Sequence, residues 1–226
     1  MSTPVVQIYT IQSVAEASAL AAMGIDRIGV TPADRGLPGE ISVGLAAEIC
    51  EAIRGRATVS ALSVDTDLDA ITAMVEEVRP HVLHLCGPSG AVSPDEVTTL
   101  RGRLPGIEMM QAVAVVGEAS IADGLAYAAV ADCLILDSVT AEIEGVGASG
   151  VVHDWTVSRR IVDVVDVPVI LAGGLSSQNV GEAIRAVRPW GVDSLTHTNR
   201  RLPDGGFRKD LELVREFAEV ARGEAA

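Results

Sequence analysis

Gly173 and Gly174 end the apolar run Val169-Ile170-Leu171-Ala172, and Ser176, Ser177 and a helical pattern follow them. Glycine carries no Cβ, so its backbone N–H can approach a bound anion closely. A helix start adds partial positive charge and unpaired N–H groups. Phosphate binding is the chemistry this arrangement suggests. The same residues would also build a plain strand-to-helix turn in which the glycines serve only the backbone angle. Asp137 ends a second apolar run, Cys133-Leu134-Ile135-Leu136. A carboxyl at such a position, partly buried, has its pKa raised and can act as a general acid; otherwise it caps the following backbone.

Further candidates lie at the ends of other apolar runs. Asp65 follows one of them and is a second possible proton carrier, while Asp67 reads as a helix cap. Cys86 alternates with His84, so both can face the same side of a strand. Cys86 is read as a nucleophile, a metal ligand, or a small buried thiol beside a hydrogen-bonded core histidine. A metal site would need further ligands, with His197 and Asp65 the evident recruits, and no metal is expected. Tyr9 either offers a phenol to a substrate or covers the barrel floor. Arg35, Thr196 and His197 are placed at substrate-facing ends. Lys209 is the only lysine. It falls where the last helix pattern begins and off the strands, which disfavours Schiff-base chemistry. The run Gly145-Val146-Gly147-Ala148-Ser149-Gly150 reads as a loop able to close over a ligand, or as ordinary surface.

Regular alternation positions these residues. Strand-like runs begin near Val5, Asp26, Thr58, His81, Ile107, Ala131, Val167 and Gly191. Helical patterns lie between them, near 12–23, 42–54, 68–78, 94–102, 117–129, 155–164, 177–187 and 209–222. Ser93-Pro94-Asp95-Glu96 is a strong helix start, with Ser at the N-cap and Pro at the first helical position. Eight βα units within 226 residues fit one α/β domain, a (β/α)8 barrel over 1–226, whose chemistry sits at the C-terminal ends of the strands. An open Rossmann-like or flavodoxin-like sheet would alternate in the same way. Against it, the first turn, Tyr9-Thr10-Ile11-Gln12, has no glycine for a dinucleotide fingerprint.

Composition narrows the function classes. Hydrophobic residues make up 48% and aromatics 3%, so a core of Val, Ile, Leu and Ala is expected, as in parallel sheets buried on both faces. The net charge is −14 with no basic block, which excludes nucleic acid as the main partner. No signal-peptide pattern and no membrane-length apolar run is present, and three scattered cysteines make no disulfide framework. A cytoplasmic protein with a small phosphorylated substrate and no membrane partner is expected, as monomer or homodimer.

Taken together, these segments resemble the phosphoribosylanthranilate isomerase family, a (β/α)8 barrel of tryptophan biosynthesis, over nearly the whole chain. Leu171-Ala172-Gly173-Gly174-Leu175 through Asn179-Val180 resembles its phosphate-binding turn after strand seven. Leu136-Asp137, a glycine-rich loop and His153-Asp154-Trp155 are similar to its strand-six aspartate, glycine loop and Phe-Asp-Trp. Gly24-Ile25-Asp26-Arg27-Ile28-Gly29 fits its second strand, Leu85-Cys86-Gly87 its Leu-His-Gly, and Gly191-Val192-Asp193 with Lys209-Asp210 its final unit.

The resemblance implies a cofactor-free Amadori rearrangement of an aminoaldose phosphate to an aminoketose, with Asp137 as the acid that opens the ribose ring. It also implies a cysteine base at the end of strand one. There the family's Lys-Ile-Cys-Gly reads Gln7-Ile8-Tyr9-Thr10. A neutral phenol is a poor base at pH 7. The family's Ser-Ser-Gly turn after strand eight reads Leu195-Thr196-His197, which puts a side chain where glycine would let a phosphate approach. Arg35 approximates its strand-two arginine. Three readings follow: an aldose–ketose isomerase whose base is Asp65 or Cys86, a barrel acting on a different sugar phosphate, and a non-catalytic sugar-phosphate-binding or regulatory barrel.

Overall fold

The computed structural model describes residues 3–139, 146, 147 and 152–224. Eight parallel strands close into a barrel in sequence order: β1 (Val5–Ile8), β2 (Arg27–Val30), β3 (Thr58–Ser63), β4 (Val82–Leu85), β5 (Glu108–Ala114), β6 (Cys133–Asp137), β7 (Val169–Leu171) and β8 (Gly191–Ser194). Helices return the chain between them: α1 (Val14–Ala22), α2 (Val43–Ala52), α3 (Leu68–Val78), α4 (Pro94–Arg103), α5 (Ala119–Ala128), α6 (Trp155–Val164), α7 (Val180–Val187) and, after β8, α8 (Leu211–Gly223). The barrel expectation holds, and the open-sheet alternative is excluded by the pairing of β1 with β8.

Local sequence accounts for the helix starts. Ser93 and Glu96 exchange bonds in a capping box ahead of α4, with Pro94 at its first position. Ser13, Ser42, Asp67, Asp154 and Asp210 each accept a backbone N–H at the head of α1, α2, α3, α6 and α8. Among the described residues no helix is long and apolar enough to cross a membrane.

Strand alternation sorts side chains into two cores. Leu134 and Leu136 face outward into the large layer between sheet and helices, with Val6, Ile8, Leu83, Leu85, Leu171 and Val192. Cys133 and Ile135 face the barrel interior with Tyr9, Val82, Cys86, Met110, Ala112, Ala114, Ile170 and Ala172. Burying Val, Ile and Leu on both strand faces is what makes these segments read as continuous apolar runs. Cys50, Cys86 and Cys133 are buried free thiols.

Register then fixes the level of each inward residue. Asp137 continues the interior series Cys133, Ile135 and pairs with Ala114. One residue beyond the Leu136–Leu171 and Leu171–Val192 partners stand Asp137, Ala172 and Asp193. Asp193 in turn pairs with Gln7 on β1. Two carboxylates therefore stand at one level of the barrel, two strands apart, with the small Ala172 between them.

Candidate active site

The ends of β6, β7 and β8 enclose a cavity lined by Asp137, Gly173, Gly174, Leu175, Asp193, Ser194, Leu195, Thr196 and His197. Gly173 and Gly174 take φ of 82° and 64°, backbone that side chains rarely adopt. A Cβ on Gly173 would stand 2.8 Å from His153 Nδ1 and 3.2 Å from Asp137 Oδ1. A Cβ on Gly147 would collide with Asp137 Oδ2. Glycine at both positions is thus what admits the Asp137 side chain.

Asp137 Oδ1 accepts the Ser138 N–H at 2.7 Å. Burial outweighs that bond and pushes the carboxyl up to about 7. A carboxyl that keeps its proton near neutral pH can donate it to a leaving oxygen. Val146 and Gly147 close over it: Val146 N bonds Cys86 O and Gly147 N bonds Ser138 O, at 3.1 and 2.8 Å. The remaining calls on the glycine-rich loop, at Gly145 and 148–150, lie outside the described residues.

Three further groups lie in or beside this cavity; the sequence places their segments within the family resemblance but gives none of them a role in the chemistry. Asp193 is buried on β8, its Oδ1 without a hydrogen-bond partner, and burial and the charge of Asp137 push it up to about 8. The signal available was a charge inside a four-residue buried strand, since ionised groups are rarely fully buried unless paired. His153 places Nε2 2.7 Å from Ser158 Oγ, while its Nδ1 is buried without a partner beside Gly173. Burial holds this imidazole down to about 4, so it is neutral.

Lys209 is the third, and here the sequence reading needs correction. Lys209 ends the short strand β10 (Phe207–Lys209), which pairs antiparallel with β9 (Asn199–Arg201) ahead of α8. It is buried, and its Nζ reaches Leu195 O at 3.0 Å, Thr198 Oγ1 at 3.2 Å and Asn199 Oδ1 at 2.7 Å. Burial pulls the amine down to about 7 against the opposing pull of Asp193. The desolvation that Schiff-base chemistry requires is present, but three oxygens hold the amine in the wall beneath the Leu195–Asn199 turn.

Two element boundaries also differ. β8 stops at Ser194, and Thr196 and His197 lie in the 3-10 turn Thr196–Thr198 rather than on the strand. α7 begins at Val180, not near Ser177. Asn179 causes the delay: its Oδ1 accepts Ser176 N at 2.8 Å and its Nδ2 donates to Gly174 O at 3.1 Å, so the chain turns once before the helix. Ser176 N is therefore engaged, and the backbone that lines the cavity is that of Gly173, Gly174 and the Leu195–His197 turn.

The remaining candidates go to other places. Tyr9 is buried at the interior end of β1, its phenol 2.7 Å from His84 Nδ1, and its ring lies against the bare Cα of Gly29. Burial raises the phenol well above its ordinary range. The next residue, Thr10, sits at φ 62°, strained backbone for a β-branched residue where the resembled family has glycine. Cys86 donates its thiol to Val146 O at 2.8 Å, and burial pushes it upward, so it is held as a protonated donor. Asp65 pairs with Arg35 at 2.7 Å and lines a different cavity with it, between the ends of β2 and β3. Asp137, Gly173, Gly174, Thr196 and His197 are brought together, while Asp65 and Arg35 form a separate pair. Among the described residues no three His, Cys, Asp or Glu side chains gather as a metal site.

Comparison with known proteins assigns the chain to a family. The family described as N-(5'-phosphoribosyl)anthranilate (PRA) isomerase matches residues 8–219. The N-(5'-phosphoribosyl)anthranilate isomerase of Methanocella arvoryzae is 37% identical over 210 residues, covering 92% of each chain. That of Haloferax volcanii is 36% identical over 212 residues, covering 91% of this chain and 89% of its own. Among solved structures, the isomerase from Pyrococcus furiosus superposes with a TM-score of 0.76 at 26% identity, covering 97% of this chain and 99% of its own. The Thermotoga maritima enzyme gives 0.80 at 24% identity with the same coverage, a likeness of fold. By matched length and by identity, the chain belongs to the N-(5'-phosphoribosyl)anthranilate isomerase family.

Proposed function

We propose that this barrel isomerises an aminoaldose phosphate to the corresponding aminoketose phosphate, with N-(5'-phosphoribosyl)anthranilate the first substrate to test. The observation that carries the reading is Asp137: a carboxyl holding its proton near neutral pH, set against the bare backbone of Gly173 and Gly174. The phosphate binds the N–H groups of those glycines and of the turn at Thr196 and His197. The sugar ring then lies over Asp137, which protonates the ring oxygen as its bond to C1 breaks. One structural neighbour, a phosphoribosyl anthranilate isomerase, is in complex with reduced 1-(o-carboxyphenylamino)-1-deoxyribulose 5-phosphate, a ligand of the size and charge this reading requires. The same reading takes the protein as a cytoplasmic monomer or homodimer that needs no cofactor.

The loss of substrate fluorescence with N-(5'-phosphoribosyl)anthranilate tests this. Wild-type protein should turn the compound over, and Asp137→Asn should lower turnover by about a hundredfold or more. Undiminished turnover in Asp137→Asn would remove the acid from the mechanism. Inorganic phosphate should raise the melting temperature of the wild type and not of Gly174→Asp, in which a charge enters the anion's place.

A further inference from the structure

An isomerase of this kind needs a group to take the C2 proton, and the described residues narrow the choice. Tyr9 is tied to His84 and Cys86 to Val146 O, both as buried protonated groups. Asp65 is engaged by Arg35 in another cavity. Asp193 lines the same cavity as Asp137, at the same level of the barrel, with Ala172 the residue between them. It stands on β8, the neighbour of β1, so a base there acts from almost the same side as one at Tyr9.

Its surroundings suit a proton acceptor. Asp193 Oδ1 is buried and unpartnered, and so is Nε2 of Gln7, its register partner. Buried polar atoms are normally satisfied, and exceptions mark strained or catalytic positions. The ionisable groups around Asp193 are Asp137 on β6, Tyr9 after β1, Cys86 after β4 and Lys209 on β10. Lys209 is the cation among them, and it favours the ionised form of Asp193. Burial and the charge of Asp137 oppose it and push the Asp193 carboxyl up to about 8, so Asp193 acts as a base in its ionised form.

We propose that Asp193 is the general base of this site, the catalytic residue that replaces the thiol absent at Tyr9. The assignment rests on the isomerase reading above. Asp137 gives its proton to the ring oxygen, and the C1–O bond breaks to leave a C1=N iminium. Asp193 carboxylate then removes the proton from C2. The C–H electrons form a C1=C2 double bond, and the C=N pair returns to nitrogen. The enol so formed becomes the ketose by losing its hydroxyl proton and gaining one at C1, with no net change in protons or electrons.

Turnover of N-(5'-phosphoribosyl)anthranilate and of its C2-deuterated form, in wild type, Asp193→Asn and Asp193→Glu, tests this. Asp193→Asn should lose about a hundredfold or more in turnover, while its affinity for inorganic phosphate changes less than about threefold. Asp193→Glu displaces the carboxylate without removing it, so its slowed turnover should carry a larger C2 isotope effect than wild type. This second variant keeps the test open if the Asn form does not fold. Wild-type turnover in Asp193→Asn beside a dead Asp137→Asn would overturn the assignment and leave the isomerase reading standing. So would a slowed Glu variant with an unchanged isotope effect. A wild-type protein with neither turnover nor C2 proton exchange would overturn both.

Discussion

Asp137 keeps its proton at a thermodynamic cost that can be measured. An exposed aspartate titrates near 3.9, whereas this one titrates at about 7 in the fold. Below pH ~4 both folded and unfolded chains are protonated there, and the residue makes no pH-dependent difference. Between about 4 and 7 the unfolded chain ionises while the fold does not, so the fold loses stability as pH rises and the penalty is complete above ~7. Asparagine has no such penalty. Asp137→Asn should therefore melt higher than wild type at pH 8 by several degrees, each kcal/mol being worth about 2–4 °C at this size. The two curves should meet near pH 4, and a gap of equal size at both pH values would contradict the assigned burial. Asp137 was legible because it continues the inward series of an apolar strand. Asp193 was harder to find, because within Gly191-Val192-Asp193-Ser194 it has no carboxylate neighbour in sequence; the partner that gives it meaning is brought up two strands away by register.

At the level of elements, strands and helix starts were readable because alternation and caps are local signals. Hairpins and short turns were not. The β9–β10 hairpin hid Lys209, which feeds its amine back under the turn that follows β8. Lys209→Met keeps the stem and removes the ammonium, leaving Leu195 O and Asn199 Oδ1 without their donor. Affinity for inorganic phosphate, read by calorimetry, should fall about tenfold, roughly the value of one charged hydrogen bond; unchanged affinity would show that the turn holds its shape without the lysine. On β2, a Cβ at Gly29 would collide with the Tyr9 ring, which His84 holds in place. Gly29→Ala should cost about 1–3 kcal/mol by overpacking, measured in denaturant. In a Tyr9→Cys background most of that cost should vanish, and additive losses would mean the two residues are not in contact.

For the whole molecule, composition indicated the architecture before any motif did: few aromatics and many Val, Ile, Leu and Ala suit strands covered on both faces. Which turns faced one another across the barrel mouth was not available from the chain, because closure joins β1 to β8 across the full length of the domain. The two-sided core also gives the molecule three internal clocks. Cys50 lies between α2 and the sheet, Cys133 inside the barrel and Cys86 at its mouth, all at 4% exposure or less. A thiol reagent meets each sulfur only in molecules that have opened at that place, so its reaction rate counts openings and not collisions. Cys86 should react first, when the contact with Val146 lets go. Cys133 should wait for the strands to part, and saturating phosphate should slow Cys86 far more than Cys50. Three ordinary cysteines, none of them paired, thus let the breathing of the mouth be timed separately from that of the shell.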